Sequence, residues 1–158
     1  MREILFKGKR IDNGEWVEGY YYKMSETTYC FKEDYERKPV PEHHYILQER
    51  MTDWGLPNQI VQIEIDSKTL CQFTGLCDKN GKKIWENDIV KSVSDIYAHV
   101  KFGLYTTGFA LEECNQGFYV DFSVKTYLRH ELGYWNNKVE VRGNIFDNRD
   151  LLQEESDE

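Results

Sequence analysis
The chain has 158 residues, 40% of them apolar and 15% aromatic, with a formal charge of −8 and a pI near 5.1. That length and apolar content can build one full core or two small ones, which excludes a globally disordered chain. The negative charge opposes nonspecific adhesion to nucleic acid or anionic lipid, because phosphate neutralisation needs clustered Lys and Arg.

In chain order, residues 3–11 and 15–24 read as strands joined through Asp12-Asn13-Gly14, with the aromatic bias of a sheet at Trp16, Tyr20, Tyr21 and Tyr22. Consecutive residues on a strand alternate faces, so one side of this hairpin presents aromatic rings away from its core. Residues 27–32 add a further predicted strand. From Lys32 to Pro57 the chain is charged and carries Pro39, Pro41 and Pro57, each removing a backbone donor, so a Pro-containing loop is expected, with a short helix over His44–Met51. Residues 59–66 alternate, Val61, Ile63 and Ile65 against Gln62, Glu64 and Asp66, as a half-buried strand does.

Beyond Cys71, turn signals become frequent and strands are predicted near 83–86, 88–94, 97–105, 107–113, 117–122 and 138–146. Asn80-Gly81 predicts a two-residue hairpin turn. Ala98, Val100, Phe102 and Leu104 read as one apolar face. Helical spacing of Val124, Tyr127, Leu128, Leu132 and Trp135 predicts a helix near 124–132, with Ser123 as N-cap and Gly133 as its stop. The fold class is therefore mainly β with one or two short helices: an N-terminal hairpin region over 1–66 and a C-terminal region over 67–152 with the rhythm of a small SH3-like barrel or sandwich. The acidic tail, 153–158, has no apolar anchor.

The run from Gln72 to Val90, with Thr74-Gly75-Leu76, Asp78, Asn80-Gly81 and Ile84-Trp85-Glu86-Asn87-Asp88-Ile89-Val90, resembles the signature of the YopX family of phage and prophage proteins. The opening Arg2–Arg10 with Trp16–Tyr20, and Glu140–Phe146 with Leu151-Leu152, agree with the family's two ends. Cys71 and Asn87 stand where Gly is common, and Asn is the residue that best replaces Gly in a left-handed backbone. The resemblance implies a phage-encoded, β-rich, intracellular protein with no established catalytic residues.

Chemistry-bearing residues are sparse. Cys30, Cys71, Cys77 and Cys114 show no Cys-x-x-Cys spacing and, with His43-His44, match no structural-zinc pattern, so neither a metal nor another cofactor is expected. Glu64, Asp66, Asp88 and Asp121, with Lys68 nearby, are the acids a divalent-metal nuclease would need, but nothing in their spacing makes them converge. Asp66 and Asp88 are read instead as turn formers. His99 and His130 lack an evident nucleophile or orienting acid, and no P-loop, dinucleotide or Gly-x-Ser-x-Gly motif occurs. No enzyme is expected.

Four Trp, eleven Tyr and eight Phe exceed what a small core must use, which favours an interface. The reading is a cytoplasmic, homo-oligomeric binding or assembly protein, with Trp16, Tyr20, Tyr21 and Tyr22 as the interface and a host or phage protein as a further partner. The alternative is a nucleic-acid-associated replication or regulatory factor using Arg2, Lys7, Lys9 and Arg10. No signal peptide or membrane partner is expected.

Overall fold
The computed structural model describes residues 1–106, 114–122 and 127–152. It is β-rich, with two compact units: residues 4–71, and residues 72–158 together with 1–3. The predicted strand over 107–113, the cap at Ser123 and the tail 153–158 lie outside the described residues.

In the first unit, β1 (Phe6–Lys9), β2 (Trp16–Ser25), β3 (Glu42–Arg50) and β4 (Gln59–Glu64) form an antiparallel ladder in the order β4-β3-β2-β1. The expected turn closes β1 and β2: Gly14 has φ +72°, and Arg10 N–H donates to Glu15 O at 2.9 Å. The strand expected over 27–32 is absent. A single short helix, α1 (Lys32–Arg37), follows instead, with Glu33 and Asp34 in its first turn and Arg37 in its last, charges that match the helix dipole. Pro39 and Pro41 then return the chain to extended backbone. The helix expected over His44–Met51 is also corrected, because residues 44–50 belong to β3, the strand flanked on both sides. Six paired positions with β2 and six with β4 override the imperfect helical spacing.

This ladder has one closed and one open face. On the closed face Ile46 and Ile65 are buried, and Gly8 and Gly19 give their neighbours room: a Cβ at Gly8 would lie 2.5 Å from Ile65 Cδ1. On the other face project Tyr20, Tyr22 and Met24, paired in register with Leu47, Tyr45 and His43.

In the second unit, β5 (Cys71–Cys77) pairs with β6 (Lys83–Trp85), and a sheet of β7 (Asp88–Ser92), β8 (Tyr97–Thr106), β9 (Cys114–Phe122) and β10 (Val139–Asn144) runs in the order β10-β7-β8-β9. Among the described residues the sheet ends at β10 and β9 without pairing them, so they form no closed barrel. Its core joins Ile84, Val90, Val100, Val120, Leu132, Trp135 and Val139. The face predicted from Ala98 to Leu104 is split: Ala98 and Val100 are buried, while Phe102 and Leu104 run out beyond the core and are exposed.

The helix predicted near 124–132 is displaced. The described helix here, α2, is Leu132–Trp135 and contains Gly133, the expected stop. Residues 127–131 are not helical, and His130 and Glu131 pair with the edge of β9: Val120 N–H donates to His130 O at 2.8 Å, His130 Nδ1 lies 2.9 Å from Val120 O, and Tyr119 bridges Glu131. Phe122, Tyr127 and Trp135 pack as an aromatic trio with centroids 4.6 to 5.0 Å apart.

Candidate functional site: an open aromatic face
Successive odd-and-even alternation on β2 places Trp16, Glu18, Tyr20, Tyr22 and Met24 on the open face and Tyr21 on the other. Tyr20 is 61% exposed and Tyr22 49%. Tyr21 instead packs against Phe6 at 5.4 Å, and its hydroxyl lies 2.7 Å from His44 Nδ1. The four predicted interface residues thus divide three to one. Beside Tyr20, Leu47, Glu49, Asn58 and Ile60 line a shallow, mostly apolar groove of about 390 Å³. Ile60 is 79% exposed, and Trp54, at 91%, stands on the β3–β4 connection.

The two ends of this face carry opposite chemistry. At the start of β2, Lys7 and Lys9 reach over the Trp16 ring, their Nζ atoms 5.0 and 5.4 Å from its centroid. At the far end His43 lies between two carboxylates, with Nδ1 2.5 Å from Glu64 and Nε2 2.8 Å from Glu26. The hydrogen bond that the protonated ring donates to Glu64, then the one to Glu26, raises the His43 pKa above its ordinary 6.5. Sequence reasoning missed this clamp because it placed His43-His44 in a loop; on a strand their side chains diverge, and only His43 meets the acids. Met24 and Ile60 were missed too, although the alternation Tyr20-x-Tyr22-x-Met24 carried the signal.

The other predicted chemistry does not assemble. Glu64 is held by His43, and Asp66 Oδ1 accepts Lys68 N–H at 3.0 Å. Asp88 Oδ2 accepts Trp85 N–H at 2.8 Å, and Asp121 is paired with Lys101. Among the described residues no cluster of three His, Cys, Asp or Glu could hold a metal ion. Cys71 is buried; Cys30, Cys77 and Cys114 are exposed thiols. A cleft of about 470 Å³ lies among Lys9, Arg10, Glu42, His44, Glu64 and Asp66. Its rim charges are engaged locally, Arg10 by Asp12 and Glu42 by Lys23, and it holds no nucleophile and base in hydrogen-bond contact. His99 is pushed down to about 4, by burial first and then by Lys101, and its Nε2 lies 3.1 Å from Asn87 Oδ1. Of the predicted basic group, Lys7 and Lys9 are together on the face, Arg10 turns to Asp12, and Arg2 belongs to the other unit.

The most distinctive stretch of sequence proves architectural. Thr74 Oγ1 donates to Ile84 O at 2.7 Å. Asp78 Oδ1 accepts Asn80 N–H at 2.8 Å and Lys82 N–H at 2.9 Å, and its Oδ2 accepts Val141 N–H of β10 at 2.9 Å. Asn80-Gly81 is accordingly the tip of a five-residue connection between the paired Cys77 and Lys83, not a two-residue turn, and of the two only Gly81 has positive φ. Asn87 takes φ +67°, the left-handed role anticipated for a Gly substitute; its N–H donates to Val100 O and its carbonyl accepts Ile145 N–H.

The fold and its clamps define a two-unit, β-rich protein whose signature residues build the scaffold and whose exposed aromatic face lies elsewhere. The family model described as YopX protein matches residues 5–153, and the chain belongs to the YopX family. Among solved structures it is similar to protein EF1440 from Enterococcus faecalis, with 19% identity, a TM-score of 0.46 and coverage of 96% of this chain and 99% of that one. No curated protein matches. No helix among the described residues is long and apolar enough to cross a membrane.

Proposed function
We propose that this protein is a non-catalytic, phage-type assembly protein of the host cytoplasm that binds a second copy of itself through the open face of the β4-β3-β2-β1 ladder. The observation carrying this reading is the exposure of Tyr20 and Tyr22 on one regularly paired strand beside Met24, Leu47 and Ile60. Aromatic and Met side chains are enriched at interface centres because they bury much area at small conformational cost. Trp54, Leu56 and Met51, between β3 and β4, are further exposed apolar side chains of the same unit.

A nucleic-acid role is the second reading, favoured by Lys7 and Lys9 flanking Trp16. Glu18, Glu26 and Glu64 share that face and repel phosphate, so the self-association reading ranks first.

The test is Tyr20→Thr combined with Tyr22→Thr, which removes both rings while keeping a strand-favouring residue. Light scattering after size exclusion is expected to show the wild type as an oligomer and the variant as a monomer, its association weakened on the order of 100-fold or more. An unchanged mass for the variant, with a native circular dichroism spectrum, would rule out this face.

A further inference from the structure
We infer that His43 works as a proton-operated latch on the chain between β2 and β3. With both ring nitrogens protonated it ties Glu26, where the chain leaves β2, to Glu64 of β4, and loss of one proton releases Glu26. The latch lies within the first unit and does not depend on the self-association proposed above. Its geometry sets the proton count. Nδ1 lies 2.5 Å from Glu64 Oε1, and Nε2 lies 2.8 Å from Glu26 Oε1. Carboxylates accept hydrogen bonds without donating them, whereas a neutral imidazole has one N–H and one lone pair. Holding both acids therefore takes an imidazolium, because in the neutral ring one nitrogen turns a lone pair toward a carboxylate oxygen.

The other groups around the ring leave this count unchanged. Tyr45, two residues on in β3, stacks beside it at 6.2 Å, and Tyr22 of β2 shares their face. Glu42 and His44 alternate to the opposite face, where Lys23 of β2 pairs with Glu42. Toward β1, Arg10 is engaged by Asp12 and Lys9 reaches over Trp16; past β4, Asp66 accepts Lys68 N–H. Glu26 is the arm that opens. Its side chain is 52% exposed against 39% for Glu64, and its contact with the ring is the longer one. It also lies beyond Ser25, the last paired residue of β2, whereas Glu64 is held in the ladder opposite Tyr45. What it frees is the base of the excursion over 26–41, which carries α1. Glu26 N–H donates to Pro41 O at 3.1 Å across that base, and within the excursion Tyr29 N–H donates to the Tyr35 hydroxyl at 2.9 Å. The sign of the pH response follows from the acids that favour the charged ring. The folded His43 pKa stands above the unfolded 6.5, so the latch is closed below 6.5 and opens as pH rises through the raised value.

The experiment follows the full-length protein by NMR from about pH 5 to about pH 9, the range in which histidine changes charge. It reads the four histidine rings and the protection of the residue-26 amide, corrected for its intrinsic exchange rate. His43→Gln and Glu26→Ala are the comparison proteins, each checked for a native circular dichroism spectrum. In the wild type the His43 ring is expected to titrate above 6.5, and the residue-26 amide to lose about two- to fivefold of its protection across the same midpoint. His43→Gln has no ring to titrate and is expected to abolish that step. Glu26→Ala is expected to lower the His43 midpoint and to keep the amide at its less protected level throughout. A His43 midpoint at or below 6.5, protection that does not change across it, or a step that persists in His43→Gln would overturn the latch.

Discussion

Replacing Asp78 with Ala is expected to destabilise the second unit by about 3 to 4 kcal/mol, because three backbone N–H groups lose a charged acceptor and at least one of them is left buried without a partner. Asp78 is 6% exposed, and its two oxygens bind Asn80, Lys82 and Val141, which lie on the β5–β6 connection and on β10. Burial pushes its pKa up, but the three backbone donors and the Lys82 charge outweigh it and hold the carboxyl below its ordinary 3.8. The sign of the pH dependence follows. A depressed folded value means the stabilisation is present above the unfolded pKa of 3.8 and is lost as pH falls through the lowered one. Denaturant midpoints for wild type and Asp78→Asn should therefore differ fully at pH 7 and converge below pH 3.8. A loss under about 1 kcal/mol for Asp78→Ala at pH 7 would mean the clamp is dispensable.

Replacing Gly19 with Val is expected to cost the first unit at least about 3 kcal/mol. A Cβ at this position collides with the Leu47 carbonyl oxygen and comes within 2.9 Å of Ile46 Cγ2. The first obstacle is backbone and the second belongs to a fully buried side chain, so relief requires moving β2 away from β3 and losing ladder hydrogen bonds. Because Tyr20 and Tyr22 are carried by that same pairing, the variant should also lose self-association. Gly133→Ala, where the added Cβ meets nothing within 4 Å, is the matched control and should change stability by less than about 1 kcal/mol. A Gly19→Val protein with wild-type thermal stability would show that the β2–β3 spacing is not what the glycine protects.

Where local chemistry and tertiary pairing agreed, the sequence was legible. The β1–β2 hairpin could be read because Gly14 sits at the turn and the flanking residues alternate; β4 could be read from Val61, Ile63 and Ile65. Membership of the YopX family was legible from Gln72–Val90 because Gly81 and Asn87 take positive φ and the side chains of Asp78 and Asp88 accept backbone N–H groups, roles that few other residues can fill. Their role was harder to see, since Asp78 reaches Val141, 63 residues away, and no local pattern announces such a contact. The same limit explains the two misplaced helices. Residues 44–50 became a strand because neighbours on both sides pair with them, and His130 and Glu131 were drawn to the edge of β9. For the candidate site, the Tyr20-Tyr21-Tyr22 alternation was legible, whereas the His43 clamp was not. The clamp depends on Glu26, His43 and Glu64 meeting across three segments.

Sedimentation equilibrium of the wild-type protein over a hundredfold range of concentration asks whether the open face of the first unit pairs with itself. The mass is expected to rise from the monomer value of 18.9 kDa to twice that value, with no higher species, since a face that pairs with the same face of a second copy closes on itself. A mass that stays at the monomer value throughout, or that climbs without limit, would contradict it.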